Sequence, residues 1–189
     1  MSAVNLSIPV IETERLVLRA PRESDFEAFA EFGASDRARF VGGPYSRFRS
    51  WSGFLGAFGH WVLRGFGMWM VEHRATGKTA GRIGMICHDG WPEPELGWHI
   101  YQGFEGQGLA HEGALAARAY AAKHQGLDRV ISCIAPDNHR SQALARRLGA
   151  SIEREAVLIE WPVQIWRHPS VATESGSYTA SMQDEVNHD

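Results

Sequence analysis

Gly103-Phe104-Glu105-Gly106-Gln107-Gly108-Leu109-Ala110-His111-Glu112 follows a strand-like run, Glu95 to Tyr101, and opens a long alanine-rich helix. Glycine lets main-chain amides approach a ligand without side-chain obstruction and takes up positive φ where a turn demands it. The helix that follows turns its unpaired first-turn N–H groups, and the positive end of its dipole, toward the same spot. Strand, glycine loop and helix N-terminus together make a site for an anion, most often a phosphate.

Spacing separates the phosphate motifs that share this logic. A Walker A loop requires Gly-x-x-x-x-Gly-Lys-Ser/Thr. Gly77-Lys78-Thr79 matches its tail, but the first glycine position is Glu72. The dinucleotide fingerprint requires Gly-x-Gly-x-x-Gly, and counted from Gly106 its last position is His111. Asp128 lies about 20 positions on, yet it precedes the next strand instead of ending it, where a ribose contact belongs. What remains is Gly106-x-Gly108-x-Ala110 opening a helix.

Outward from this loop the apolar pattern alternates between strand and helix periods. Leu16-Val17-Leu18 reads as a strand stopped by Pro21, and Phe26, Phe29, Ala30 and Phe32 as a helix entered at Ser24-Asp25. Residues 33–46 read as irregular. Trp51, Phe54, Leu55, Phe58 and Val62 share one face of a helix that ends by Gly65. Two strands, 67–73 and 79–87, are joined by the turn 75–78, and a polar connection, 88–94, leads into the strand from Glu95. Alternation there puts Glu95, Gly97, His99 and Tyr101 on one face and Leu96, Trp98 and Ile100 on the other. The helix from Gly108 to His124 stops at Gly126, a buried-looking strand covers Val130 to Ile134, and a helix from Asp137-Asn138 closes at Gly149. Strands at 152–161 and 163–167 finish the pattern. The sum is a mixed α/β, or α+β, sandwich with a mostly antiparallel central sheet and helices on both faces.

Composition narrows the classes. At 189 residues, 44% hydrophobic and 11% aromatic, the chain suits one globular domain, taken as residues 10–168, between a flexible arm at 1–9 and a disordered tail at 169–189. No apolar run reaches membrane-spanning length and Met1-Ser2-Ala3 begins no signal pattern, so a cytoplasmic protein without membrane partner is expected. A net charge of −3 argues against nucleic acid as partner. Cys87 and Cys133 read as free thiols in strands, and nine scattered histidines offer no metal-ligand spacing, so no metal is expected. A monomer and a homodimer fit the sequence equally.

Glu95-Leu96-Gly97-Trp98-His99-Ile100, the loop from Gly106 to Glu112, Asn138-His139-Arg140-Ser141 and Leu148-Gly149-Ala150 resemble, in order, the GCN5-related N-acetyltransferase family. Within it the chain is most similar to the ribosomal-protein alanine acetyltransferase branch, whose first strand Thr13 to Arg19 also resembles. The resemblance covers roughly residues 10 to 168. It implies an acyl-CoA N-acyltransferase-like sandwich and transfer of an acetyl group from acetyl-CoA to a primary amine by direct attack, with coenzyme A as product. The acceptor would be a protein N-terminus or a small-molecule amine. A non-catalytic acyl-CoA-binding sensor on the same fold is the alternative.

The resemblance also distributes roles. Glu105, Gly106, Gln107, Gly108, Leu109 and Ala110 would hold the pyrophosphate by their amides, although the Glu105 carboxylate repels it unless turned away. Backbone at His99 and Ile100 would align the pantetheine, and Asn138 would bond it. Glu95 is the first candidate for general base, since a partly buried carboxyl rises toward neutrality, and His99 is its competitor. The tyrosine that many relatives use for the leaving thiolate is here Ala145, which leaves Ser141 as the substitute. Asn138 with Ser141 also fits an ordinary helix cap, and Arg140, Arg146 and Arg147 read as solvated charges or as contacts of the nucleotide phosphate.

Overall fold

Strands β1 (Ile11–Glu12), β2 (Leu16–Arg19), β3 (Met68–His73), β4 (Lys78–Ile86), β5 (Glu95–Ile100), β6 (Ile131–Ile134), β7 (Ser151–Leu158) and β8 (Trp161–Arg167) form one sheet, in the order β1-β2-β3-β4-β5-β6-β8-β7. The computed structural model describes residues 7–171. Residues 1–6 and 172–189, with most of the expected arm and tail, lie outside the described residues. Within the described part of the arm, Ile8 packs on the core and the Pro9 carbonyl accepts from Trp69 Nε1 at 2.8 Å. Every strand pair is antiparallel except β5 with β6.

Among the described residues four α-helices cover the two faces: α1 (Phe26–Ala34), α2 (Arg47–Arg64), α3 (Leu109–His124) and α4 (His139–Arg147). Period-two alternation divides the core between them. Leu16, Leu18, Trp69, Val71 and Leu96 point to α3 and α4, meeting Leu109, Ala114, Ala117, Leu144 and Leu148. Met70 and Tyr101 point to the other face and meet Phe26, Phe29 and Phe54 from α1 and α2. Alanines bring α3 close to the sheet, and Gly113 brings it closer still: a Cβ there would stand 2.6 Å from Ile83 Cδ1.

The helix ends follow ordinary capping chemistry. Ser46 accepts from the Arg49 amide at the start of α2, and Gly65 ends that helix at φ 73°. Asn138 does the same for α4 by accepting from the Ser141 amide. The irregular stretch before α2 contains a 3-10 helix, Asp36–Val41. The final hairpin turns earlier than its apolar pattern predicts. Its turn is Ile159-Glu160, both at positive φ (44° and 69°), so β8 begins at Trp161.

Among the described residues no helix is long and apolar enough to cross a membrane.

Candidate functional site

The parallel ladder between β5 and β6 is a single registered pair, Glu95 with Ile131, and beyond it the two strands part. Tyr101 N donates to Ala80 O at 2.8 Å, which fixes the antiparallel alternation between β4 and β5. Main-chain groups of Gly97 and His99 therefore face β4, and those of Trp98 and Ile100 face the gap. The Ile100 carbonyl accepts from Arg37 Nη2 at 2.7 Å. The Trp98 main chain and the Ile100 amide line the gap with no strand partner among the described residues.

At the far end of β5 the chain enters the glycine loop. Gly108 is the N-cap of α3 at φ 79° and brings no capping side chain. The Glu112 amide donates to Gly108 O at 3.1 Å, whereas the amides of Leu109, Ala110 and His111 have no acceptor within the helix. A Cβ placed on Gly103 or Gly106 would meet nothing within 4 Å, so the outer face of the loop is open. The Glu105 carboxylate does not point away unpaired. Arg37 Nη1 lies 2.5 Å from its Oε1. Against the burial that raises it, its own amide, the charge of Arg37 and the amides of Gly103 and Phe104 hold Glu105 below the usual carboxylate range.

A second arginine braces the loop from beneath. Arg15 Nη1 donates to Gln107 O at 2.7 Å, and its Nε donates to Glu112 Oε2 at 2.6 Å. The other oxygen of Glu112 accepts from Thr13 Oγ1 at 2.6 Å and from the Arg15 amide at 2.8 Å. Glu112 in the first turn of α3 thus straps the turn between β1 and β2 to the loop, in the position where the helix dipole favours a carboxylate.

Glu95 begins β5 and is only 8% exposed. Its Oε1 accepts from the Cys133 amide of β6 at 3.0 Å and its Oε2 from Trp91 Nε1 at 2.7 Å. Burial raises its pKa to about 7, and the Trp91 indole, the Cys133 amide and the Cys133 thiol act against that rise. Across the gap, Ser141 Oγ accepts from Trp98 Nε1 at 3.2 Å, and Asn138 Oδ1 accepts from the Ser141 amide at 3.2 Å. The Asn138 amide nitrogen and the Ser141 hydroxyl proton stay available to a ligand. Ala145 is fully buried beside Trp166 and presents no group to the gap.

His99 lies on the face of β5 opposite Trp98, the face that alternation also gives to Glu95, with its ring stacked on Phe32 and centroids 5.1 Å apart. Its Nδ1 is held 2.9 Å from Arg82 Nε. Arginine only donates, so this nitrogen accepts, and the proton of the neutral ring sits on Nε2. Burial, then the Arg82 charge, push the His99 pKa well below its ordinary value.

The structure thus gathers Glu95, Trp98, Ile100, Asn138 and Ser141 around one gap, with residues 105–110 at its mouth. Trp91, Arg37, Arg15 and Arg82 were not among the sequence candidates. Each acts across a loop or across the sheet, and only the Trp91–Glu95 spacing of four is local.

The model of the acetyltransferase (GNAT) domain family matches residues 15–151. YoaA, an uncharacterised N-acetyltransferase of Bacillus subtilis (strain 168), is 27% identical over 160 residues, which are 82% of this chain and 89% of that protein. An acetyltransferase structure from Agrobacterium tumefaciens str. C58 aligns with a TM-score of 0.80 at 36% identity, over 89% of this chain and 98% of that one. RimL, the ribosomal L7/L12 α-N-protein acetyltransferase solved in complex with coenzyme A, aligns with a TM-score of 0.71 at 20% identity, over 87% and 99%.

Proposed function

We propose that this chain, which belongs to the GNAT acetyltransferase family and so moves an acetyl group from acetyl-CoA to an amine, takes the α-amine of a protein N-terminus as acceptor and deprotonates it with Glu95. The protein acceptor is drawn from RimL, which is named for that chemistry. A small amine is the other acceptor class to be tested.

The residues present suit the coenzyme. The open glycines and the unpaired first-turn amides of α3 are donors for a pyrophosphate, and the gap lined by Trp98 and Ile100 offers strand-like hydrogen bonds to an amide-bearing arm. Bound there, acetyl-CoA supplies the acetyl group as an activated thioester. Asn138 offers its amide nitrogen to the same arm. In this reading the main-chain contacts come from Trp98 and Ile100, and His99 contributes its ring.

Glu95 is the better base of the two sequence candidates. With a pKa of about 7, a sizeable fraction is carboxylate at neutral pH while proton affinity remains high. The indole of Trp91 and the amide and thiol of Cys133 take three of the acceptor positions of the carboxylate, which leaves room for one bond to the amine or an intervening water. His99 has its basic nitrogen occupied by Arg82, so its free Nε2–H acts as a donor. Ser141, already accepting from Trp98, directs its proton to the departing sulfur. Ala145 in place of a tyrosine, and the Glu105 carboxylate in the loop, are the features that would favour the sensor alternative. It is not favoured by relatives named as acetyltransferases, nor by a Glu105 whose charge is matched by Arg37.

The observation that carries this reading is the one-pair ladder at Glu95, which opens a gap beside an ionisable, buried carboxyl. The test is thiol release from acetyl-CoA with peptides whose α-amines are free or blocked, alongside small amines. We expect turnover with free α-amines and its loss on blocking. Equal turnover with blocked peptides, or turnover with small amines alone, would overturn the acceptor.

A further inference from the structure

On the face of β4 and β5 that α1 and α2 cover, a guanidinium stands without a counter-anion among the described residues. Arg82 sits opposite His99 in the ladder, gives its Nε to His99 Nδ1 at 2.9 Å, and lies with Cζ 4.8 Å over the Phe29 ring. A neutral imidazole and an aromatic face carry no formal negative charge. No carboxylate among the described residues lies within ion-pair distance of Arg82. Burial pulls its pKa down, and only Tyr101 and Tyr45 act the other way.

Its diagonal neighbour is also unsatisfied. Tyr101 is two residues beyond His99 on the same face, 4% exposed, and its hydroxyl has no hydrogen-bond partner among the described residues. A partly buried cation without an anion and a buried hydroxyl without an acceptor are each unfavourable alone, and such groups are rarely left together in a fold. One carboxylate answers both. It accepts two parallel bonds from a guanidinium fork and has lone pairs left for a phenol.

We propose that Arg82 and Tyr101 form a carboxylate-binding subsite in the acceptor cleft, selecting amines that carry a carboxylate. This rests on the acetyl-transfer reading above: Glu95, the proposed base, shares the α1–α2 face of β5 with His99 and Tyr101, so an amine delivered to Glu95 lies on the Arg82 side. The carboxylate comes either from an acidic side chain near a peptide N-terminus or from a small amino acid. Both place the same group on the same fork.

The test compares kcat/KM for acceptors matched as carboxylate and carboxamide: Ala-Glu against Ala-Gln peptides, β-alanine against β-alaninamide, glycylglycine against glycylglycinamide. The peptide and small-molecule arms identify the source. We expect a preference of about tenfold or more for the carboxylate in at least one arm, abolished in Arg82→Gln and narrowed several-fold in Tyr101→Phe, which keeps the ring. Coenzyme A affinity, measured by calorimetry in each variant, reports that the fold and the cofactor site persist. A wild-type ratio near one, or a ratio that survives Arg82→Gln, overturns the subsite and leaves acetyl transfer standing. Should no pair be acetylated, calorimetric binding of the same pairs to the coenzyme-loaded protein decides. Carboxylate preference lost in Arg82→Gln upholds the subsite while the acceptor reading fails, and equal or absent binding overturns it.

Discussion

Arg37 Nη1 lies 2.5 Å from Glu105 Oε1, so the segment between α1 and α2 is tied to the glycine loop by an ion pair at the place where an anionic ligand would arrive. The pair matches a carboxylate that would otherwise repel the ligand. Glu105→Gln should therefore tighten coenzyme A binding by a factor of about three to ten, and Arg37→Gln should weaken it. Both effects should shrink as salt is raised, because the pair is partly exposed. Calorimetric titration at two ionic strengths measures this; unchanged affinity in both variants would separate the pair from the binding site.

Trp91 tunes Glu95. Its Nε1 donates to Oε2 at 2.7 Å and so favours the ionised form. Trp91→Phe keeps an aromatic ring and deletes the donor, which should lift the Glu95 pKa above about 7. The acid limb of kcat/KM should then move to higher pH by roughly half to one unit. A limb that stays in place in this variant, yet vanishes in Glu95→Gln, would show that the indole contact does not govern the base.

Glu95 also links function to stability. Its folded pKa of about 7 stands above the ordinary value of 4.5, so ionising it costs the folded state. Stability is fullest below the unfolded pKa and declines as pH rises through the folded one. Glu95→Gln should remove that decline, with a melting temperature that gains on the wild type between about pH 5 and pH 8 by the equivalent of roughly 2 kcal/mol. Parallel pH profiles for the two proteins would contradict it.

Asp25 carries the opposite sign. It is almost wholly buried, takes two bonds from Arg19 at 2.8 and 2.9 Å, and accepts from Thr79 Oγ1 at 2.6 Å. Burial raises its pKa, but Arg19, Thr79 and the Arg22 amide together bring it below the ordinary value. Its contribution is present above the unfolded pKa and is lost as pH falls through the folded one. Asp25→Asn should cost about 3–5 kcal/mol in chemical denaturation at neutral pH, because it strands a buried guanidinium. A loss under about 1 kcal/mol would mean that Glu72 alone satisfies Arg19.

Ser141 should matter little to the rate. A thiol of pKa about 8.5 departs readily as thiolate, so Ser141→Ala is expected to lower kcat by less than about tenfold. Single-turnover measurements, which isolate chemistry from product release, give the figure. A hundredfold loss would make the hydroxyl indispensable.

Much of this architecture was legible because its causes are local. The alternation along β5 divides its side chains between the two helical layers as the sequence implies, and the glycines and alanines after it form the loop and α3. Asn138 and Ser141 make the cap that their spacing suggests. What escaped sequence reasoning depends on partners distant along the chain or on unfavourable conformations. Arg37 reaches a carbonyl 63 residues away, and nothing in its neighbourhood marks it from other arginines. Two-residue hairpin turns are signalled by Asn-Gly or Asp-Gly, so Ile159-Glu160, forced to positive φ, gave no such sign and the strand boundary fell elsewhere. The β1 strand, at two residues, is too short to carry any periodicity.

Among the described residues one rung, Glu95 with Ile131, joins the first five strands to the last three by main-chain pairing. The molecule is in effect two plates meeting along a crease, with side chains such as Ser132 and Trp98 as the remaining stitches. Whatever lies in that slot contributes to the sheet's mechanical continuity, so a coenzyme bound at the proposed site would be a splint as well as a reactant. Each turnover that ends in its departure should leave the crease momentarily loose, and amide exchange in β5 and β6 should slow on loading well beyond the atoms the coenzyme touches.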